Sequence, residues 1–166
     1  MARFIDELRR THYCGDLRAS DAGREVVLYG WVARRRDLGG LIFFALRDRD
    51  GITQVVFAPG FAPEGEVQRL PGVEDEVWDE ARVKAAYGLA EQVRREWVVG
   101  LRGVVRHRGS NVKKDLATGE IEVMCSELEV FNRAETPAIP LDDEIDSDEE
   151  TRLRYRYLDL RRTPLQ

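Results

Sequence analysis

The stretch GWVARRRDLGGLIFFALRDRDGITQVVF, residues 30–57, holds three runs of β-branched and aromatic residues separated by two turn signals. The first turn carries Asp37, Gly39 and Gly40. The second is Asp50-Gly51, a dipeptide that strongly favours a hairpin. Three consecutive strands follow from this pattern: one entering as EVVLYGWVARRR from Glu25, one built on LIFFALR, and one on ITQVVF at 52–57. In the first, strand periodicity puts Val26, Leu28 and Val32 on one face and Val27, Tyr29 and Trp31 on the other.

Downstream, Ala58 to Gly72 contains Pro59, Pro63 and Pro71 with Gly60, Gly65 and Gly72, a loop composition. Residues 74–96 place Val77, Trp78, Ala81, Ala85, Leu89 and Val93 near helical spacing, with acids early and Arg94 and Arg95 late. This predicts a helix that Gly88 could interrupt. WVVGLRGVVRHR and EIEVMCSELEVFN then supply two further strands around a turn at Ala117-Thr118-Gly119, their glycines suggesting bends or bulges. The order β-β-β-α-β-β predicts an all-β domain with one helix: a five-stranded Greek-key OB-fold barrel, with an acidic helical insertion between strands 3 and 4. The barrel domain is expected over 1–133. Residues 134–166 are expected to form an extended, solvated hinge that stays out of any core, ending in a short amphipathic helix with Leu153, Tyr157 and Leu160 on one side.

Bulk properties narrow the function. The 166 residues are 43% hydrophobic and 34% charged, the profile of one soluble domain, and no apolar run is long enough for a membrane span. The first residues do not form a secretory signal, so a cytoplasmic location is the default expectation. Cys14 and Cys125 lie far apart without metal-ligand spacing, so structural thiols are expected, and His12 and His107 stand beside no nucleophile or metal cluster, so neither is expected to be catalytic. A net charge of −5 argues against coating nucleic acid by charge alone. The charge is segregated, however: +2 over 1–60, −5 over 61–92, +1 over 93–136, −7 over 137–150 and +4 over 151–166. The acid concentrates outside the barrel.

RTHYCGDLR at 10–18, RRRDLGG joined to LIFFALRDRDG within 34–51, KDLATGEIEV at 114–123 and RLRYRYLDLRR at 152–162 together resemble the N-terminal anticodon-binding domain of bacterial-type aspartyl-tRNA synthetases, the class IIb aspartate-tRNA ligases. The resemblance covers nearly the whole chain. Lysyl and asparaginyl relatives carry similar barrels, and the joined arginine and aromatic pattern is what points to the aspartyl branch. It implies a module that binds the anticodon loop of aspartate tRNA, with asparagine tRNA as a second candidate. It also implies a parent enzyme that uses ATP and magnesium to attach aspartate to tRNA and dimerises through its catalytic domain. The glycine-rich GxGxGxxR segment of that domain does not occur here, nor does a Walker-type loop. The chain itself is therefore expected to be a monomer without catalytic residues, metal or cofactor, with a catalytic domain following RLRYRYLDLRR.

The resemblance assigns anticodon contacts to Arg34, Arg36, Asp37, Phe43, Gln54, Arg106, Arg108, Asn111 and Glu122. Physical chemistry supports these types. Unstacked loop bases are held on aromatic rings and read along their edges. Phe43 and Phe44 are adjacent in a strand, so one faces outward; choosing Phe43 follows the family. Arg34 and Arg36 share a face if strand geometry persists and can grip phosphate or a base edge. Asp37 suits a base-edge acceptor or a turn cap equally. Gln54 can donate and accept on one edge, and Glu122 could accept from a cytidine amino group or be a surface carboxylate. Two departures stand out: the segment RHRGSNVKKDLATG is slightly short for the family, and the acidic insertion at 60–85 is long, its acids expected to point away from RNA. Trp78 within it is expected to be a core anchor. Two alternatives remain open, a sequence-tolerant single-strand binder and a protein-interaction module using the insertion or the C-terminal helix.

Overall fold

The computed structural model describes residues 3–141 and 147–162. Five strands, β1 (Glu25–Leu38), β2 (Leu41–Arg47), β3 (Ile52–Phe57), β4 (Val98–His107) and β5 (Ile121–Asn132), close into a barrel in the order β1-β2-β3-β5-β4. All neighbours are antiparallel except β3 and β5, which run parallel. The β1–β2 hairpin closes on Leu38 opposite Leu41, and both intervening glycines take positive φ, 59° at Gly39 and 87° at Gly40. Such a two-residue turn matches strand twist and excludes most side chains, which explains the Gly-Gly pair. Inside lie Val26, Leu28, Val32, Ile42, Phe44, Leu46, Val55, Leu101 and Val123, fully buried.

The helix between β3 and β4 is α2 (Glu80–Ala90), shorter at both ends than the 74–96 expected from periodicity. At its start, the backbone carbonyls of 73–76 are taken by arginine side chains: Arg69 donates to those of Val73 and Glu74, Arg102 to that of Asp75, and Arg82 to that of Glu76. These bonds tie 73–76 down in an irregular, non-helical path. Asp79 then caps it, accepting from the amide of Arg82 at 2.8 Å. Beyond Ala90 the chain turns, and Glu96 adopts φ 66°. Gly88 lies within the helix and does not break it. Val83, Ala86 and Ala90 are buried, and the last two join the barrel core with Val93 and Trp97.

The segment before β1 packs on the barrel's outer surface. Its short α1 (Arg3–Asp6) brings Phe4 against Tyr29 and Phe131, with ring centroids 6.4 and 6.2 Å away. Gly100 makes this possible, since a Cβ there would strike the Phe131 ring. Leu8 and Val27 complete this second core, onto which Leu70 and Val73 of the insertion fold.

The insertion is pinned by ions. Arg102, with no exposed surface, donates to Glu25 at 2.5 Å and to Asp75 at 2.9 Å, while Asp75 also accepts from Arg3 at 2.7 Å and from Arg82. Partial burial pushes the Asp75 pKa upward, but the hydrogen bonds from Arg3, Arg82 and Arg102 outweigh it and hold the carboxyl well below the usual range.

After β5, the Trp97 indole donates to the carbonyl of Ala134 at 3.0 Å, and Ile139 is fully buried. The expectation of a hinge with no core contact is therefore corrected at Ile139; residues 142–146 of it lie outside the described residues. The C-terminal amphipathic helix is instead two short helices, α3 (Glu149–Arg154) and α4 (Arg156–Asp159), broken at Tyr155. Leu153, Tyr157 and Leu160 are exposed, as an unpartnered apolar side would be.

Candidate nucleic-acid interface

A bulge in β1 decides which arginines face outward. Val32 pairs with Leu46 and Arg34 with Ala45, so Ala33 is the extra residue and strand parity flips there. Arg35, opposite the core residue Phe44, consequently turns toward the barrel end, where it donates to the carbonyls of Ala90 and Glu91 at 3.1 and 3.3 Å. These are the last carbonyls of α2, left unpaired by the helix. Arg34 and Arg36 point the other way, and the Arg36 guanidinium lies 5.8 Å from the centre of the Phe43 ring.

Cross-strand register then builds the outer face in two rows. Phe43 lies opposite Val56, which pairs with Met124, giving an apolar row that Ala58 and Trp78 extend. Trp78 thus anchors the insertion. The neighbouring row is polar: Ala45 opposite Gln54, then Glu122 opposite Arg106. Gln54 donates to one oxygen of Glu122 at 2.7 Å, and Arg106 donates to the other through Nε at 2.8 Å, its Nη2 lying 2.7 Å away. Glu122 is only 7% exposed, so these donors fix the carboxylate in one orientation. A carboxylate has about four acceptor sites. Capacity remains for an incoming donor.

Two adjoining clefts open on this face. One, of 210 Å³, has Arg34, Arg36, Phe43, Gln54, Arg108 and Lys113 in its walls. The other, of 540 Å³, includes Arg106, Arg108, Asn111 and Glu122. Arg108 belongs to both, and its Nε is buried without a hydrogen-bond partner among the described residues. It sits just before a 3₁₀ turn, Gly109–Asn111, which carries Asn111 into the larger cleft.

Eight of the nine residues assigned from the sequence therefore lie on one continuous surface. Asp37 does not join them: it is exposed near the β1–β2 turn, 3.6 Å from Arg35, and lines neither cleft. Two residues escaped sequence reasoning. Lys113 is brought in by a tight loop in which its amide donates to Gly119 at 3.0 Å. Its ammonium is held below the usual lysine range by partial burial and then by repulsion from Arg36 and Arg108, with a smaller push from Arg34. The signal for it was the basic pair opening KKDLATG. Phe61, in the insertion, lines the larger cleft. Its sequence context, Pro-Gly-Phe-Ala-Pro, reads only as loop.

The face thus combines an aromatic ring, a fixed carboxylate with amide and guanidinium donors, and four further cations, the components that recognise unpaired bases and their phosphates.

A protein-family model described as an OB-fold nucleic acid binding domain, of the tRNA anti-codon type, matches residues 26–131. The chain is 51% identical over 166 residues to a protein of Anaeromyxobacter sp. (strain K) named aspartate–tRNA(Asp/Asn) ligase, covering 100% of this chain and 24% of that protein. A protein of the same name from Moorella thermoacetica is 50% identical over 160 residues, covering 96% of this chain and 23% of its own length. The chain thus spans about a quarter of the length of the curated relatives it matches. Among solved structures, asparaginyl-tRNA synthetase from Pyrococcus horikoshii aligns with a TM-score of 0.65 at 25% identity, over 93% of this chain and 29% of that one. With a family match spanning the barrel from β1 to β5, the chain belongs to the tRNA anti-codon family of OB-fold nucleic acid binding domains.

Proposed function

We propose that the chain reads the anticodon loop of aspartate tRNA, and that of asparagine tRNA, as the tRNA-binding module of an aspartate–tRNA ligase. The observation that carries this is the Gln54–Glu122–Arg106 cluster, set one row from the half-buried Phe43 ring. Phe43 stacks an anticodon base, while Arg34, Arg36, Arg108 and Lys113 hold the backbone around it. Glu122 accepts from the amino group of a cytidine in the third anticodon position. Arg106 and Gln54 offer donors at the same place, which suit the carbonyl of a uridine. A cluster of both polarities accommodates either tRNA, in keeping with the names of the relatives at 50% identity and above.

The longer ligase couples aspartate to tRNA with ATP and magnesium, acting in the cytoplasm as a homodimer through its catalytic domain. Among the described residues no group of three or more His, Cys, Asp or Glu is placed to hold a metal ion. Nucleotide and metal are assigned to the catalytic domain of that longer ligase, and the module contributes by positioning tRNA. No helix among the described residues is long and apolar enough to cross a membrane.

In the full-length ligase, Phe43→Ala should lower kcat/KM for tRNA roughly 5- to 100-fold, the range of one lost stacking contact. Aspartate-dependent ATP–pyrophosphate exchange, which needs no tRNA, should be unchanged. Equal kcat/KM for both proteins would remove Phe43 from the site.

A further inference from the structure

The acidic insertion does more than pack against the barrel. Its leading turn, Phe61 to Glu64, forms one wall of the 540 Å³ cleft whose other wall includes Arg106, Asn111 and Glu122. Part of the insertion thus borders this face. Phe61 stands 61% exposed on it. Isolated exposed aromatics are ordinary, but this one is held in place at both ends of its loop. On the near side, its amide donates to the carbonyl of Ala58 at 3.1 Å, and Ala58 is buried against Val56 and Met124. On the far side, Gln68 donates to Gly23 at 2.8 Å and accepts from the amide of Glu25 at 2.9 Å. Pro59 and Pro63 restrict the backbone between these anchors.

We propose that Phe61 is a second stacking platform, which takes the base of a different anticodon-loop nucleotide from the one on Phe43. This rests on the function proposed above. Phe43 lines the 210 Å³ cleft and Phe61 the 540 Å³ cleft, and Arg108 is the one residue, among those described, lining both. The two rings stand in separate clefts, so they serve two nucleotides. Arg108, common to both clefts and with its Nε unpaired among the described residues, is placed to bond the phosphate joining them. The Glu64 carboxylate on the insertion side repels phosphate, which turns the backbone toward Arg34, Arg36 and Lys113 and the bases toward Phe61.

The test is anisotropy titration of a labelled aspartate anticodon stem-loop with the 166-residue chain and its Phe61→Ala, Phe61→Tyr and Phe43→Ala variants. Single abasic substitutions are then walked through the loop. Phe61 is exposed, so its replacement should leave thermal stability unchanged. Phe61→Ala should weaken binding roughly 5- to 100-fold, and Phe61→Tyr should retain it. One abasic position should weaken wild type yet add nothing in Phe61→Ala, and a different position should behave so with Phe43→Ala. Unchanged binding by Phe61→Ala, with loss in Phe43→Ala, would overturn the second platform while leaving the anticodon reader intact. Loss in Phe61→Ala that Tyr fails to restore, with no abasic position accounting for it, would assign the residue to loop structure and also overturn the proposal. Failure of the wild-type chain to prefer the anticodon loop over an unrelated loop would overturn both.

Discussion

One inserted residue, Ala33, separates the three consecutive arginines into two kinds. Arg35 closes the barrel on α2, whereas Arg34 and Arg36 stand on the outer face. Arg35→Ala should therefore lower stability by about 1 kcal/mol in chemical denaturation, from lost bonds to helix-end carbonyls, and leave RNA affinity alone. Arg36→Ala should do the reverse, weakening RNA binding and reducing its salt slope by about 1 if the guanidinium meets a phosphate. The triplet itself was legible in the sequence. Its division was not, because a bulge leaves no mark on residue types and the uninterrupted alternation of Val26, Leu28 and Val32 would have turned Arg34 and Arg36 inward. Glu122 makes a second case. Its residue type suggested an acceptor, but its fixation by Gln54 and Arg106 depends on β3 meeting β5 in parallel, a contact between segments 68 residues apart. Glu122→Gln should weaken binding of a loop with cytidine in the third anticodon position by about 1–3 kcal/mol and leave the uridine loop nearly unaffected, as read by paired titrations.

At the level of elements, the strands were the legible part. β3 falls on 52–57 as the pattern indicated, and the bulge between Arg102 and Gly103 lies where glycines announced irregularity. The insertion was not legible in the same way. Periodicity over 74–79 looked helical because Val77 is buried and Trp78 half-buried, yet the segment is a loop that Trp78 anchors and to whose carbonyls arginines donate. That arrangement needs Arg102 and Arg3, residues distant in sequence, so no local window contains it. Asp75 is its hub, and its carboxylate has a folded pKa below the unfolded one. The stabilisation it gives is complete above the unfolded value of about 4 and is lost as pH falls through the lower folded value. Asp75→Asn should accordingly melt at lower temperature than wild type at pH 7, and the gap in Tm should close as pH drops from 5 toward 2. A gap independent of pH would show that the carboxylate charge is not what pins the loop.

For the whole molecule, segregation of charge matters more than its sum. A net charge of −5 accompanies a face bearing Arg34, Arg36, Arg108 and Lys113, while Asp75 of the acidic insertion is neutralised by three arginines. If three or four phosphates are neutralised, log K should fall with log salt at a slope of about −2 to −3. The C-terminal segment folds back onto the barrel through Arg161, 3.3 Å from Glu96, which also holds Arg47 at 3.0 Å. Leu153, Tyr157 and Leu160 are left facing outward, and the chain is expected to sediment as a monomer at micromolar concentration. The measurement that bears most directly on the central claim is the affinity of this chain for the aspartate anticodon stem-loop against the same stem with a scrambled anticodon, in wild type and Phe43→Ala. The native loop should bind at least about ten-fold tighter, a preference that base-edge hydrogen bonds can supply, and Phe43→Ala, which removes a ring that stacks any base, should weaken both loops. Equal affinity of wild type for the native and scrambled loops would contradict the assignment of this face to anticodon reading.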